Sequence, residues 1–158
     1  MYRIGFSKDI HPLKENRPLI LGGIHIPYHL GLDGHSDADV VIHAISEAIL
    51  GALAIGDLGT HFPDNDDKYK NIDSTILLKE VVKMMENNHY EINNIDVQIG
   101  LSKPKLKDYK EAMRNNIASL LKTNIENVSI KAMTYNSLGD IGNNNAAEAY
   151  CIVMLRSK

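Results

Sequence analysis

The chain has 158 residues, of which 44% are hydrophobic and 23% are charged, and it carries a formal net charge of −3. This length suits a single domain, residues 1–158, with a core of its own, and the composition is typical of a soluble globular protein. The slightly negative charge argues against a general binder of nucleic acid or of anionic membranes. Any phosphate group must therefore be bound by a small local site and not by a generally basic surface.

Cysteine content and hydropathy predict a cytoplasmic protein of bacterial type. The one cysteine, Cys151, lies in an apolar run over residues 149–155 and is expected to be a buried core residue. The N-terminus has no basic-then-apolar leader, and the longest mostly apolar stretch, residues 48–55, is far shorter than the ~20 residues of a membrane-spanning helix. A plastid protein that has lost a transit segment is the alternative.

The first predicted elements are strands. Residues 2–6 form a short β-prone run with Asp9 and His11 at its exit. Two apolar runs, residues 19–21 and 24–26, are joined by two glycines and predict a short hairpin. The aspartate and the histidine are therefore expected just beyond the first strand.

A helix and a long loop are predicted next. After a loop over residues 27–35, Ser36 or Asp37 is expected to cap a helix whose apolar residues recur at helical spacing until Gly56. Residues 57–70 contain glycine, proline and several aspartates without periodicity. A loop of this length is more often functional or mobile than a simple connection.

Helices and strands follow one another in the second half of the chain. The predicted elements are a helix capped by Asp73 or Ser74, a strand over residues 95–101, a helix over 108–121, a strand over 128–132, a polar turn over 136–145 and a last strand over 147–155. The order predicts an α+β fold: a mixed four-stranded sheet with helices on one face, plus the short β-hairpin excursion.

One aspartate and two histidines make a candidate zinc site. Asp9 and His11 are two residues apart in an extended segment, so their side chains point to the same face. His43, from the first helix, would add a third ligand and leave the fourth position open, as catalytic zinc requires. Asp39 and Glu47 lie four residues before and after His43, so either could orient its ring.

Three other segments are open to more than one interpretation. Residues 35–37 precede the helix N-terminus, where free N–H groups favour anions, but the serine and aspartate there could equally be caps alone. Residues 62–67 resemble a calcium loop but lack its glycine and its glutamate, so that interpretation is rejected. A carboxylate in this segment could instead accept hydrogen bonds from the hydroxyl groups of a substrate. The three lysines of residues 102–107 indicate either a ligand site at a strand end or a solvated basic turn.

A series of motifs extends from Arg3 to the C-terminus. They are Arg3-Ile4-Gly5, Asp9-Ile10-His11, the segments 21–27 and 35–40, His43-Ala44, the segment 51–64, Asp73-Ser74, Pro104-Lys105-Leu106 and Lys131-Ala132. Their order and spacing resemble those of the 2-C-methyl-D-erythritol 2,4-cyclodiphosphate synthase family, the cyclases of the non-mevalonate isoprenoid pathway. The resemblance implies a homotrimer with active sites between neighbouring subunits, and a Zn²⁺ ion bound by Asp9, His11 and His43.

The resemblance also implies a reaction and the residues that carry it. The family converts 4-diphosphocytidyl-2-C-methyl-D-erythritol 2-phosphate to 2-C-methyl-D-erythritol 2,4-cyclodiphosphate and CMP by metal-assisted intramolecular phosphoryl transfer. The implied catalytic residues are His35, Asp39 and Thr134. The residues implied to bind substrate are Asp9, His11, His35, Ser36, Asp57, Leu58, Gly59, Phe62, Pro63, Asp64, Asp66, Leu101, Pro104, Lys105, Leu106, Ala132, Met133 and Thr134.

The chain departs from the family in the turn after residue 134. The family has a glutamate there that binds Mg²⁺, and this chain has Asn136. An amide oxygen brings no charge, so a second site for Mg²⁺ or Mn²⁺ is expected to be weak. Asp140 and Asn143 replace residues that line a cavity on the family's trimer axis, so no isoprenoid diphosphate is expected to bind there.

Two alternative functions remain at this point. One is a cytidine-nucleotide-binding homologue of the same fold with weakened or lost cyclase activity, because the magnesium-binding glutamate is missing. The other is a structural zinc module. Structural zinc sites are usually closed, four-ligand sets rich in cysteine, so the predicted ligands fit this alternative poorly.

Overall fold

The computed structural model describes all 158 residues, Met1–Lys158. The strands are β1 (Tyr2–Glu15), β2 (Leu19–Leu21), β3 (Ile24–Ile26), β4 (Leu30–Leu32), β5 (Tyr90–Gly100), β6 (Val128–Met133) and β7 (Ala146–Ser157). The α-helices are α1 (Val40–Leu53), α2 (Leu58–His61), α3 (Ser74–Asn87), α4 (Lys110–Leu120) and α5 (Gly139–Gly142), and Asp67–Tyr69, Ile125–Asn127 and Tyr135–Ser137 form 3₁₀ turns. None of the helices combines the length and the apolar character needed to cross a membrane.

The predicted mixed sheet and separate hairpin are confirmed, with one strand more than expected. The sheet has five strands in the order β4-β1-β7-β5-β6, and β2 pairs only with β3. All neighbours in the sheet are antiparallel except β5 and β6. The additional strand, β4, is a three-residue piece that pairs with the end of β1, Leu13 facing Leu32. So short a run shows no alternation, which is why the sequence placed it in a loop.

Strand β1 is more than twice as long as the predicted strand. It continues through Asp9 and His11 because β7 pairs with it as far as Pro12, which lies opposite Ala146. Alternate residues of β1 are partly covered, and the two candidate ligands belong to this covered set. The pairing with β7 therefore fixes both side chains on the face that carries helix α1.

Helix α1 begins later than predicted and packs directly on β1. Its N-cap is Asp39, not Ser36 or Asp37, because the Asp39 carboxylate accepts hydrogen bonds from the N–H groups of Val41 and Ile42. A Cβ atom added to Gly5 would lie 1.8 Å from the carbonyl oxygen of Ala48. Only glycine at this position of β1 lets the backbone of the helix approach so closely.

The other face of the sheet carries exposed apolar side chains. Tyr2, Ile4 and Phe6 of β1 are 66%, 67% and 62% exposed, and Ile152 of β7 is 52% exposed. By contrast, Cys151, the neighbour of Ile152, is buried on the helix-covered face, as predicted. The sheet thus has one face in the core and one apolar face without cover from its own chain.

Two glycine substitutions test the contact between α1 and β1. Gly5→Ala should lower the free energy of unfolding by about 3 kcal/mol, because the new methyl group meets helix backbone that cannot move aside locally. Gly51→Ala is the matched control within α1. No atom lies within 4 Å of its Cβ position, so alanine should stabilise the protein by ~0.5–1 kcal/mol. Urea unfolding measures both values, and a loss for Gly5→Ala below 1 kcal/mol would contradict the close packing.

Candidate active site

Asp9, His11 and His43 lie together between β1 and α1. One carboxylate oxygen of Asp9, Oδ2, is 3.2 Å from Nε2 of His11 and 3.1 Å from Nδ1 of His43. The three potential ligand atoms all lie within 4.8 Å of one another. The structure thus assembles the predicted ligand set from a strand and a helix.

The hydrogen bond on the far side of the His11 ring defines its tautomer. Nδ1 of His11 is 2.9 Å from the carbonyl oxygen of Asp33. A carbonyl oxygen only accepts, so Nδ1 carries a proton, and Nε2, which faces Asp9, is the nitrogen that can bind a metal once its own proton is lost. One carboxylate and two imidazoles that converge in this way, with room for a further ligand, fit a divalent metal ion.

The charges of the three side chains are coupled. Burial alone would raise the pKa of Asp9, but hydrogen bonds with His11 and His43 outweigh it and lower the pKa to about 2. The hydrogen bond to Asp9 raises the pKa of His11 above its ordinary value. A metal ion must therefore displace a proton held between Asp9 and His11, so metal binding should release protons and weaken as the pH falls.

A pocket of about 290 Å³ opens onto the triad. Besides the triad, it is lined by six residues assigned in the sequence analysis: His35, Ser36, Leu58, Gly59, Phe62 and Asp64. It is also lined by Glu47, Tyr69, Ile72 and Leu77. Tyr69 lies in the aperiodic loop and Ile72 just after it, where no sequence pattern marks them, and Leu77 is at an apolar helix position that predicts only core packing.

Asp39 and Glu47 do not orient His43, so that interpretation was wrong. Asp39 is completely buried, and its carboxylate accepts hydrogen bonds from the N–H groups of Gly22 and Gly23 at 3.0 and 2.7 Å as well as capping α1. It does not line the pocket, and its hydrogen bonds give it a structural role. The Glu47 carboxylate lines the pocket but accepts from the N–H of Leu58 at 3.2 Å.

The groups next to Nε2 of His43 are two serine hydroxyls. Oγ of Ser74 lies at 2.7 Å and Oγ of Ser36 at 3.1 Å. The sequence marked Ser74 only as a possible helix cap. The cap of α3 is in fact Asp73, whose carboxylate accepts from the N–H of Thr75.

Two of the aspartates assigned to substrate act as local caps. The Asp57 carboxylate accepts from the N–H and the hydroxyl of Thr60, and the Asp66 carboxylate accepts from the N–H of Lys68. Neither of these two aspartates lines the pocket, and neither does Pro63. The bonds to Asp57 close the start of α2, which contributes Leu58 and Gly59 to the pocket wall.

Five other residues implied to bind substrate lie in a different place. Leu101, Lys105, Leu106, Ala132 and Thr134 line a second pocket, of about 270 Å³, together with Lys107 and Lys110. The two pockets have no residue in common.

Three further assigned residues, Pro104, Met133 and Asn136, lie outside both pockets. Asn136 is exposed, in a run of three left-handed residues with φ values of 60°, 50° and 64°.

Replacement of Asp39 tests whether its role is structural. Asp39→Ala should lower the free energy of unfolding by about 3 kcal/mol, because it removes a helix cap and leaves the buried N–H groups of Gly22 and Gly23 without an acceptor. The matched control, Asp73→Ala, removes only the cap of α3 and should cost about 1 kcal/mol. Urea unfolding compares them, and equal losses would contradict the anchoring role of Asp39.

Comparisons with known proteins find similarity over almost the whole chain. The YgbB family model matches residues 2–156. The 2-C-methyl-D-erythritol 2,4-cyclodiphosphate synthase of Brachyspira hyodysenteriae is 55% identical over 154 residues, which are 98% of each chain.

Solved structures of similar proteins share the fold. The bifunctional IspDF of Campylobacter jejuni matches with a TM-score of 0.95 and 39% identity; the match covers 100% of this chain but only 43% of that longer protein. A CDP complex of IspF from Plasmodium falciparum matches with a TM-score of 0.88 and 33% identity over 99% of this chain and 97% of that one. The chain therefore belongs to the YgbB family, together with the 2-C-methyl-D-erythritol 2,4-cyclodiphosphate synthases that it resembles along its length.

Proposed function

We propose that this chain converts 4-diphosphocytidyl-2-C-methyl-D-erythritol 2-phosphate to 2-C-methyl-D-erythritol 2,4-cyclodiphosphate and CMP. The observation that carries the proposal is the Asp9, His11 and His43 triad, which faces a pocket in a chain 55% identical to a synthase of that name. The reaction is a cyclisation within one substrate molecule. We also propose that the enzyme is cytoplasmic, on its similarity to bacterial enzymes.

Zinc is the metal that we assign to the triad. Two imidazole nitrogens and one carboxylate oxygen are a usual ligand set for catalytic zinc, and the pocket leaves space for a substrate oxygen as the fourth ligand. A zinc ion bound there would supply Lewis-acid stabilisation of negative charge on the phosphate being attacked.

The protein's own residues must fold a flexible, highly charged substrate into line for attack. His35 and Ser36 line the pocket beside the triad, where they can donate hydrogen bonds to phosphate oxygens. Asp64 lines the same pocket and can accept hydrogen bonds from the methylerythritol hydroxyls. Phosphoryl transfer asks little covalent chemistry of a protein, so positioning and charge neutralisation account for most of the expected rate enhancement.

The second pocket suits the nucleotide end of the substrate. Lys105, Lys107 and Lys110 line it with Thr134, and cationic side chains around a small cavity favour phosphate groups. The similar Plasmodium falciparum protein was solved with CDP. We assign the cytidine diphosphate part of the substrate to this pocket, with Thr134 at the phosphates.

A homotrimer with active sites between subunits explains two features of the single chain. The metal pocket and the lysine pocket share no residue, so one chain presents two separate halves of the proposed site. The apolar sheet face with Tyr2, Ile4 and Phe6 is exposed and needs a partner. We propose that each chain, a single domain over residues 1–158, packs this face against two copies of itself.

The residue at the proposed second metal site differs from that of the family. Asn136 is exposed in a left-handed turn and offers a neutral amide oxygen, so we propose that it binds Mg²⁺ or Mn²⁺ weakly. A nucleotide-binding protein without cyclase activity is not favoured, because the triad and the first pocket are complete.

An assay of CMP release tests the proposed activity and the second metal together. The purified protein with Zn²⁺ should release CMP and form the cyclic product, at a rate that rises with Mg²⁺ concentration. Asn136→Glu should reduce the Mg²⁺ needed for half-maximal rate by about tenfold, whereas the matched, neutral Asn136→Gln should not. Absence of CMP at every metal concentration, in the wild type and in both variants, would contradict the proposed function.

A further inference from the structure

The ring of His43 is held between two different groups. Its Nδ1 faces Oδ2 of Asp9 at 3.1 Å, and its Nε2 lies 2.7 Å from the hydroxyl of Ser74. The Ser74 hydroxyl in turn contacts Oδ1 of Asp37 in a short hydrogen bond. Hydrogen bonds therefore link His43, Ser74 and Asp37 in a series that leads away from the triad into the protein.

The donors and acceptors of these groups determine the direction of each hydrogen bond. Oδ1 of Asp37 also accepts from the N–H of Asp39 at 3.1 Å, and Oδ2 accepts from the N–H of Ser74 at 2.9 Å. Both oxygens thus act as acceptors, so the Ser74 hydroxyl donates its only proton to Asp37. Its lone pairs then face Nε2 of His43, which must carry a proton to satisfy them.

We propose that Ser74 and Asp37 are positioning residues that hold the proton of His43 on Nε2 and so leave Nδ1 free to bind the metal. This inference rests on the proposed function, because it takes the triad to be a metal site. A histidine bound to a metal usually donates its other N–H to an oxygen acceptor, which fixes both the tautomer and the plane of the ring.

The burial of the pair supports a positioning role. Ser74 is completely buried at the first position of α3, and both oxygens of Asp37 are held by backbone N–H groups. Neither side chain is therefore free to turn. Ser36 is 3.1 Å from the same nitrogen of His43 but lines the pocket, where its hydroxyl can turn to substrate. Ser74 is the shorter contact, and it does not line the pocket.

Metal affinity and the tautomer of His43 test the inference with separate readouts. Ser74→Ala should weaken Co²⁺ binding, followed by its visible absorption, by at least about tenfold, as other losses of a partner behind a metal ligand do. Ser74→Thr keeps a hydroxyl and should restore the affinity. The matched control, Thr75→Ala, removes a neighbouring hydroxyl that bonds to Asp73 and not to His43, and should leave the affinity unchanged.

Nitrogen chemical shifts report directly which ring nitrogen of His43 carries the proton. In the Zn²⁺-loaded wild type, Nδ1 should bind the metal and Nε2 should carry the proton, and Ser74→Ala should lower the fraction of rings in that form. A wild-type ring protonated at Nδ1, or equal Co²⁺ affinity in Ser74→Ala and wild type, would overturn the inference. A wild-type protein that binds no Co²⁺ would contradict the proposed metal site itself, whereas equal losses of affinity in Ser74→Ala and Thr75→Ala would contradict only the role of Ser74.

Discussion

The close approach of helix α1 to strand β1 is the constraint on which the site depends. The contact between Gly5 and the backbone at Ala48 fixes the distance between the two elements. Ala48 follows His43 by five residues in α1. Because the helix runs antiparallel to the strand, the same packing brings His43 beside Asp9. A larger residue at position 5 would separate the ligands of the helix from those of the strand.

Acidic side chains around the site have distinct physical roles, although they look alike in the sequence. Asp9 faces the two histidines, and its lowered pKa keeps it charged. Asp39 and Asp37 hold backbone N–H groups beneath the site, the first at the hairpin glycines and the second at the start of α3. Glu47 holds the start of α2 at the edge of the pocket. The triad is thus surrounded by segments that are each anchored by a buried or half-buried carboxylate.

Much of the fold and the ligand triad could be predicted because they depend on local patterns. Alternation marked β5 and β6, and the Asp-x-His spacing placed two ligands on one face of an extended segment. What the sequence could not give depends on contacts between distant residues. The second half of β1 is polar and is a strand because β7, and at its end β4, pair with it. Asp39, rather than Ser36 or Asp37, caps α1 because the hairpin glycines share its carboxylate. Ser74 reaches His43 only because α3 packs against α1.

Anomalous X-ray diffraction at the zinc absorption edge, from crystals grown with Zn²⁺ and CDP, tests the central claim most directly. The account predicts a zinc ion about 2 Å from an oxygen of Asp9, from Nε2 of His11 and from Nδ1 of His43, with its fourth position directed into the pocket. Zinc held by other residues, or bound through Nε2 of His43, would contradict it.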